Sequence, residues 1–297
     1  MIDFITTPFT IGDIAKLKAA RSSSVVIATH FFSARGAAYF KIEELPLIKE
    51  ECKRLEINMY VLVNRFFVEE ELPALRQHLR TLKELDVDGI YYGDEGVYYE
   101  ARKLGMVERL IYNPDTLITN AKDAQYYLDE GIKMVTLAKE ITLEELCFIG
   151  NEIKGECEVV IHGRLNMMHS KRNLLTNYVD FIGKKEDLKN NYHLYISEET
   201  REEHMPIIED ELGTHVFTGF TLSSFDELLD LANANIHHFR IDGIFHDIDY
   251  VIEMLTYYQE ILAHVRNGRE TYEMVKEKYK DENISHGFYY KKTSSVK

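Results

Sequence analysis

Five polar residues stand at the C-terminal ends of short apolar runs: Asn64, Asp94, Glu140, His162 and Asp242. Runs such as residues 159–161 and 25–28 are too short for helices and read as buried parallel strands. Residues at the C-terminal ends of such strands converge on one face of an α/β protein. There, carboxylates beside an imidazole could do acid–base chemistry or hold a metal. They could also hydrogen-bond loop backbone and cap the next helix. Glu140 and His162 are assigned to the chemistry. Asn64, Asp94, Arg172, Arg240 and Asp242 are assigned to substrate binding.

The densest chemistry lies between Glu158 and Tyr178. An apolar strand ends at His162-Gly163, and Arg164, Asn166, His169, Ser170, Lys171, Arg172, Asn173 and Asn177 follow at once. The basic cluster of Arg164, Lys171 and Arg172 could contact an anion or phosphate, or sit on a solvated loop. His162 and His169 could ligate a metal, but no third ligand has a recognisable spacing, so no metal is assigned. The chain has no G-x-S-x-G, no H-E-x-x-H and no cysteine next to a histidine, so the familiar protease chemistries lack their residues.

The elements that must position these residues alternate. Strands are expected at residues 2–6, 25–28, 58–63, 89–92, 110–112, 133–138, 159–161 and 238–241, each separated from the next by a helix-like segment. Asn120 and Asp247 read as helix caps, and Thr142-x-x-Glu145 and Ser224-x-x-Glu227 as capping boxes. Eight strands with helical crossovers predict a (β/α)8, TIM-barrel-like α/β fold in one domain spanning 1–297. A doubly wound sheet is the alternative, but no G-x-G-x-x-G follows a strand. The long interval after strand seven predicts an insertion over 164–220 on the strand C-terminal face, with strand-like runs at 192–196 and 216–218. The polar tail, 281–297, carries Phe288, Tyr289 and Tyr290 and is expected to dock.

The chain has 297 residues, 45% of them hydrophobic, so a large core is available. Its net charge of −15 argues against binding a polyanion over most of its surface. Three cysteines, Cys52, Cys147 and Cys157, form no close pair and predict no disulfide framework. No run approaches the ~18 apolar residues of a membrane span. The N-terminus shows no secretion signal, so a cytoplasmic location without a membrane partner is expected.

Several of these motifs occur in order in one family. His162-Gly163, Leu165, Ser170, Arg172 and Leu174 to Tyr178 resemble the signature segment of the collagenase-like peptidases, peptidase family U32. Residues 60–64, 137–140, 239–243 and 286–289 are similar to further segments of that family, with Lys139 in place of an arginine and Asn113-Pro114-Asp115 departing from its pattern. Asn166 and Asn173 stand where the family has cysteines. The resemblance implies two activities. One is the peptidase of the family label. The other is prephenate-supported tRNA uridine 5-hydroxylation, in which some members carry a 4Fe-4S cluster on four cysteines and some act as two unequal homologous chains. The chain looks most like the shorter member of such a pair. The resemblance then implies no cluster on this chain, a 4Fe-4S cluster on a longer homologous partner, and tRNA contact through that partner. A non-catalytic barrel scaffold is the third reading.

Overall fold

The computed structural model describes residues 2–197, 199 and 203–292. The parts of the expected insertion at 198 and 200–202, and of the expected docked tail at 293–297, lie outside the described residues. Among the described residues, thirteen strands occur in chain order: β1 (Asp3–Thr6), β2 (Ser24–Thr29), β3 (Tyr39–Phe40), β4 (Asn58–Val63), β5 (Gly89–Tyr92), β6 (Leu110–Tyr112), β7 (Met134–Thr136), β8 (Glu156–Ser170), β9 (Tyr195–Ser197), β10 (His204–Asp210), β11 (Gly213–Ser223), β12 (His238–Ile241) and β13 (Ile284–Ser285).

Eight of them close a parallel barrel in the order β1, β2, β4, β5, β6, β7, β8, β12, with β12 pairing back onto β1. Side chains alternate along each strand. Ile5, Val26, Ala28, Tyr60, Leu62, Tyr91, Ile111 and Met134 form the inner cluster. Their neighbours, such as Val25, Ile27, Val61 and Ile90, belong to the larger cluster that includes the helices' apolar residues. Two-sided burial explains why these strands read as continuous apolar runs; all six residues of β2 are buried.

The expected caps of three helices are present. Asn120 accepts from the amides of Lys122 and Asp123, Thr142 and Glu145 make a reciprocal box, and Asp247 accepts from Tyr250. The box expected at Ser224 and Glu227 does not form. Ser224 Oγ instead donates to the Ile161 carbonyl and pairs with the Tyr289 hydroxyl, and the helix begins only at Leu228.

Strand seven does not stop at His162-Gly163. As β8 it runs on to Ser170, leaving the barrel to pair antiparallel with β11. Gly163 makes this exit possible: its φ is +123°, and a Cβ there would lie 2.7 Å from the Asp242 carbonyl oxygen. β10 and β9 extend the antiparallel sheet, and Ile208 and Phe217 pack with Ile244, Ala37 and Phe245 from the barrel loops. The buried carboxylate of Glu209 accepts from the amides of Leu175 and Thr176 and from the Thr176 and Thr214 hydroxyls. It thereby holds the first turn of the helix Leu174–Phe181 against the sheet. The chain returns through β13, which pairs with β11, and the Tyr289 carbonyl accepts from the Leu143 amide.

Candidate functional site

The two residues assigned to the chemistry do not meet. His162 is fully buried, with Nδ1 3.1 Å from the Tyr258 hydroxyl and Nε2 2.8 Å from that of Tyr250. Both tyrosines lie on the helix Ile248–Leu262, outside the barrel. Tyr258 donates its only proton to the Ile161 carbonyl, so Nδ1–H of His162 must donate to Tyr258 and Nε2 must accept from Tyr250. Burial pushes the imidazole well below its ordinary pKa, with the neighbouring His246 adding to the effect. The expectation that His162 faces the mouth failed because of one irregularity. Arg240 pairs with Val160 and Ile241 with His162, leaving Ile161 as an extra residue; such a bulge re-aims the side chains beyond it.

Glu140 is half-buried on the wall of a cleft of about 1420 Å³, shared with Arg164, Tyr192, Phe220 and Phe288. Burial raises its pKa, Lys139 lowers it and Asp115 raises it again. Asp94 is occupied structurally: Oδ1 accepts from the Gly96 amide at 2.7 Å and Oδ2 from the Phe67 amide at 2.7 Å. The capping alternative therefore describes Asp94 better than substrate binding. Asn64 exchanges two hydrogen bonds with the backbone of Ala34, at 2.9 and 3.1 Å, and so anchors the loop after β2. Arg172 is exposed on the loop after β8, remote in contact from the other assigned residues; its backbone meets Ser170 and Thr214.

Arg240 and Asp242 do come together, and they belong to a charged cluster at the C-terminal ends of the strands. Arg240 Nη2 donates to Asp242 Oδ2 at 2.7 Å, while Nη1 stands 3.9 Å from Glu158 Oε1. Glu158 is fully buried inside the barrel, accepting from the hydroxyls of Tyr91 and, at 3.0 Å, Thr136. Burial pushes its carboxyl pKa up against the pull of Arg240. Beside them, Asp115 pairs with Arg35 Nη2 at 2.9 Å and Lys139 Nζ at 2.7 Å. Burial alone would raise the Asp115 pKa, but Arg35, Lys139 and Arg240 together hold it well below the usual carboxylate range. Asn166 Nδ2 approaches Asp115 Oδ2 at 3.4 Å.

Sequence reasoning assigned no role to Arg35, Asp115, Lys139 or Glu158. Lys139 had a signal, since it directly precedes Glu140 after a predicted strand. Arg35 and Asp115 had none: each has a left-handed backbone, with φ of 59° and 63°, and their loops are far apart in sequence. Left-handed non-glycine residues are uncommon and gather at functional sites.

The donors do not suit an iron–sulfur cluster. Asn166 and Asn173, which the resemblance sets at cysteine positions, offer amides rather than thiolates. Cys52 lies on the helix Leu45–Leu55, Cys147 on the helix Leu143–Glu152 and Cys157 on β8. Burial pushes the thiols of Cys52 and Cys157 up to about 12, and that of Cys147 up as well. None has the depressed pKa of a nucleophilic or ligating thiol. Among the described residues, no group of three or more His, Cys, Asp or Glu side chains could hold a metal ion.

Comparison with known proteins agrees with the motifs. The chain is 28% identical over 303 residues to tRNA hydroxylation protein P2 of Bacillus subtilis, covering 98% of both chains. It is 23% identical over 260 residues to tRNA hydroxylation protein P1 of the same strain, covering 84% of this chain and 61% of that one. Protein P of Escherichia coli K12 is matched at 23% identity, over 77% of this chain and 60% of that one. The chain thus spans about three-fifths of these longer relatives. The solved structure of the U32 peptidase Mk0906 superposes with a TM-score of 0.51 at 13% identity, covering 81% of this chain and 92% of that one, a likeness of fold. The sequence profile of peptidase family U32 matches residues 12–296, and the chain belongs to that family.

Proposed function

We propose that this protein is a subunit in tRNA uridine 5-hydroxylation, supported by prephenate and acting in the cytoplasm beside a longer, cysteine-bearing homologue. The observation that carries this reading is the full-length match to tRNA hydroxylation protein P2, in a strain that also has the longer protein P1. Loss of the family cysteines at Asn166 and Asn173 supports a division of labour in which a 4Fe-4S cluster sits on the partner. The net charge of −15 favours tRNA contact through that partner. The absence of a helix long and apolar enough to cross a membrane, among the described residues, is compatible with this setting. The peptidase label finds no activated thiol among the cysteines.

Mass spectrometry of tRNA nucleosides tests the proposal. A strain lacking this gene should lose 5-hydroxyuridine derivatives and recover them on complementation. A strain blocked before prephenate should show the same loss. Co-purification should recover the longer homologue, and iron and sulfide should follow that chain. Full tRNA hydroxylation without this protein would sink the reading.

A further inference from the structure

The antiparallel sheet that rises from the barrel sets two histidines side by side above the mouth. His169 on β8 pairs in register with His215 on β11, and His215 pairs in turn with Ile208 on β10. Directly opposed residues point to the same side of a sheet. That side is the one on which Ile208 and Phe217 pack against Ile244, Ala37 and Phe245 of the barrel loops. His169 therefore looks toward the strand C-terminal ends, where it senses the charges of Arg35 and Asp115. The half-exposed ring of Phe66, on the loop after β4, lies 5.7 Å from its own.

The hydrogen bonds dictate where the protons sit. Asp210 Oδ1 accepts from the Leu212 amide at 2.8 Å and stands 3.4 Å from His215 Nε2. Burial raises the Asp210 pKa, but His215 and the amides of Leu212 and Gly213 outweigh it and hold the carboxyl below its ordinary value. An ionised carboxylate only accepts, so His215 Nε2 carries a proton. With one proton on each ring, His215 Nδ1 must accept, and His169 Nδ1–H donates to it at 3.0 Å. His215 is 1% exposed and both its nitrogens are then satisfied. His169 is only half-buried, and its Nε2 keeps a lone pair that no protein group among the described residues uses. Burial, His215 and Arg35 push the His169 pKa down to about 4 against the pull of Asp210 and Asp115, so the ring is neutral at physiological pH. A carboxylate, an orienting imidazole and a third group with a free lone pair follow the logic by which catalytic triads hold a tautomer and stabilise the cation that forms.

We propose that His169 is an acid–base residue of the barrel-mouth site, its Nε2 taking a proton from an O–H or N–H group of the substrate, with His215 and Asp210 as the positioning residues that fix its tautomer. In this step the bond from Nε2 to hydrogen forms, the O–H or N–H bond of the substrate breaks, and its electron pair stays on the substrate heteroatom. The imidazolium later gives the proton to water at its exposed edge. The reaction served is the tRNA hydroxylation proposed above, and the inference rests on that reading in this respect alone; the tautomer and reactivity of His169 belong to the chain itself.

Long-range proton–nitrogen NMR of the labelled chain at neutral pH tests the tautomers. His169 should be protonated on Nδ1 and His215 on Nε2, and Asp210→Ala should turn both rings into mixtures. Diethyl pyrocarbonate acylates neutral imidazole nitrogens; peptide mass mapping should find His169 modified in the parent, and modified more slowly in Asp210→Ala. In the co-purified complex with the longer homologue, His169→Gln, which takes up no proton, should lower kcat for tRNA hydroxylation ~100-fold while KM changes little. Asp210→Ala should lower kcat less. His264→Gln, on the exposed turn after the helix Ile248–Leu262, controls for loss of a histidine and should react like the parent. Near-UV circular dichroism confirms that each variant is folded. His169 protonated on Nε2, equal acylation in Asp210→Ala, or undiminished kcat in folded His169→Gln would each overturn the proposal. A parent complex that hydroxylates no tRNA would sink the tRNA reading instead, and the tautomer and acylation results would then decide the inference.

Discussion

His162 shows how far a residue's chemistry depends on its partners. Its two hydrogen bonds join β8 to the helix Ile248–Leu262, and its ring also packs against Phe225. His162→Phe should cost about 1–3 kcal/mol in urea denaturation, since it removes both bonds and strips the buried Tyr250 hydroxyl of its acceptor, while Tyr258 still donates to the Ile161 carbonyl. Undiminished stability together with lost tRNA hydroxylation would restore a catalytic role. His78 offers a cleaner titration. It is 3% exposed and stacks on Phe32 with ring centroids 3.9 Å apart, and both its nitrogens lack hydrogen-bond partners among the described residues. Burial pushes its pKa down to about 4. Between that value and the ordinary pKa near 6.5, the unfolded chain takes up a proton that the folded chain refuses, so stability falls as pH falls. His78→Leu should remove a contribution on the order of 2–3 kcal/mol from that decline between pH 6.5 and 4. Parallel denaturation curves for the two proteins at every pH would contradict this account.

At the scale of elements, the exit of β8 from the barrel is the decisive feature. Gly163 permits it, and the insertion then rises as an antiparallel sheet beside the mouth. Gly163→Ala should destabilise the protein by about 1–3 kcal/mol, because it adds a left-handed-region penalty and a clash with the Asp242 carbonyl. A variant as stable as the parent would show that the backbone can relax there. Glu209 governs the neighbouring helix. Glu209→Ala should leave the barrel's melting transition nearly unchanged while speeding proteolysis within Leu174–Phe181, where Phe181 is 87% exposed. Equal cleavage rates in both proteins would show that other contacts hold that helix.

On the whole-molecule scale, charge sets what the chain can do alone. A net charge of −15 opposes a tRNA backbone at every approach outside a local basic patch. Gel-shift titration should therefore show weak tRNA binding by this chain, and binding at least ~10-fold tighter when the longer homologue is added, with affinity falling steeply as salt rises. Tight, salt-sensitive binding by this chain alone would place the tRNA surface here instead.

The barrel was legible in the sequence because its causes are local. Two-sided burial makes each strand a short β-branched run, and the intervening segments carry their own caps at Asn120, Thr142 and Asp247. The same reasoning placed Glu140 and Asp242 at strand ends, while Arg240 and Asp242 shared a segment only through the family resemblance. It failed wherever an outcome depended on a strand's neighbour. The bulge that turns His162 outward arises from pairing between β8 and β12, whose register the sequence of β8 does not contain. The apolar run ending at Gly163 looked like a finished strand because nothing in residues 164–170 announces that β11 will pair with them. The charged mouth was hidden for the same reason: Arg35 and Asp115 are 80 residues apart. Only closure of the barrel brings their loops together, and the favourable contact then holds both residues in backbone conformations that neither would adopt readily by itself.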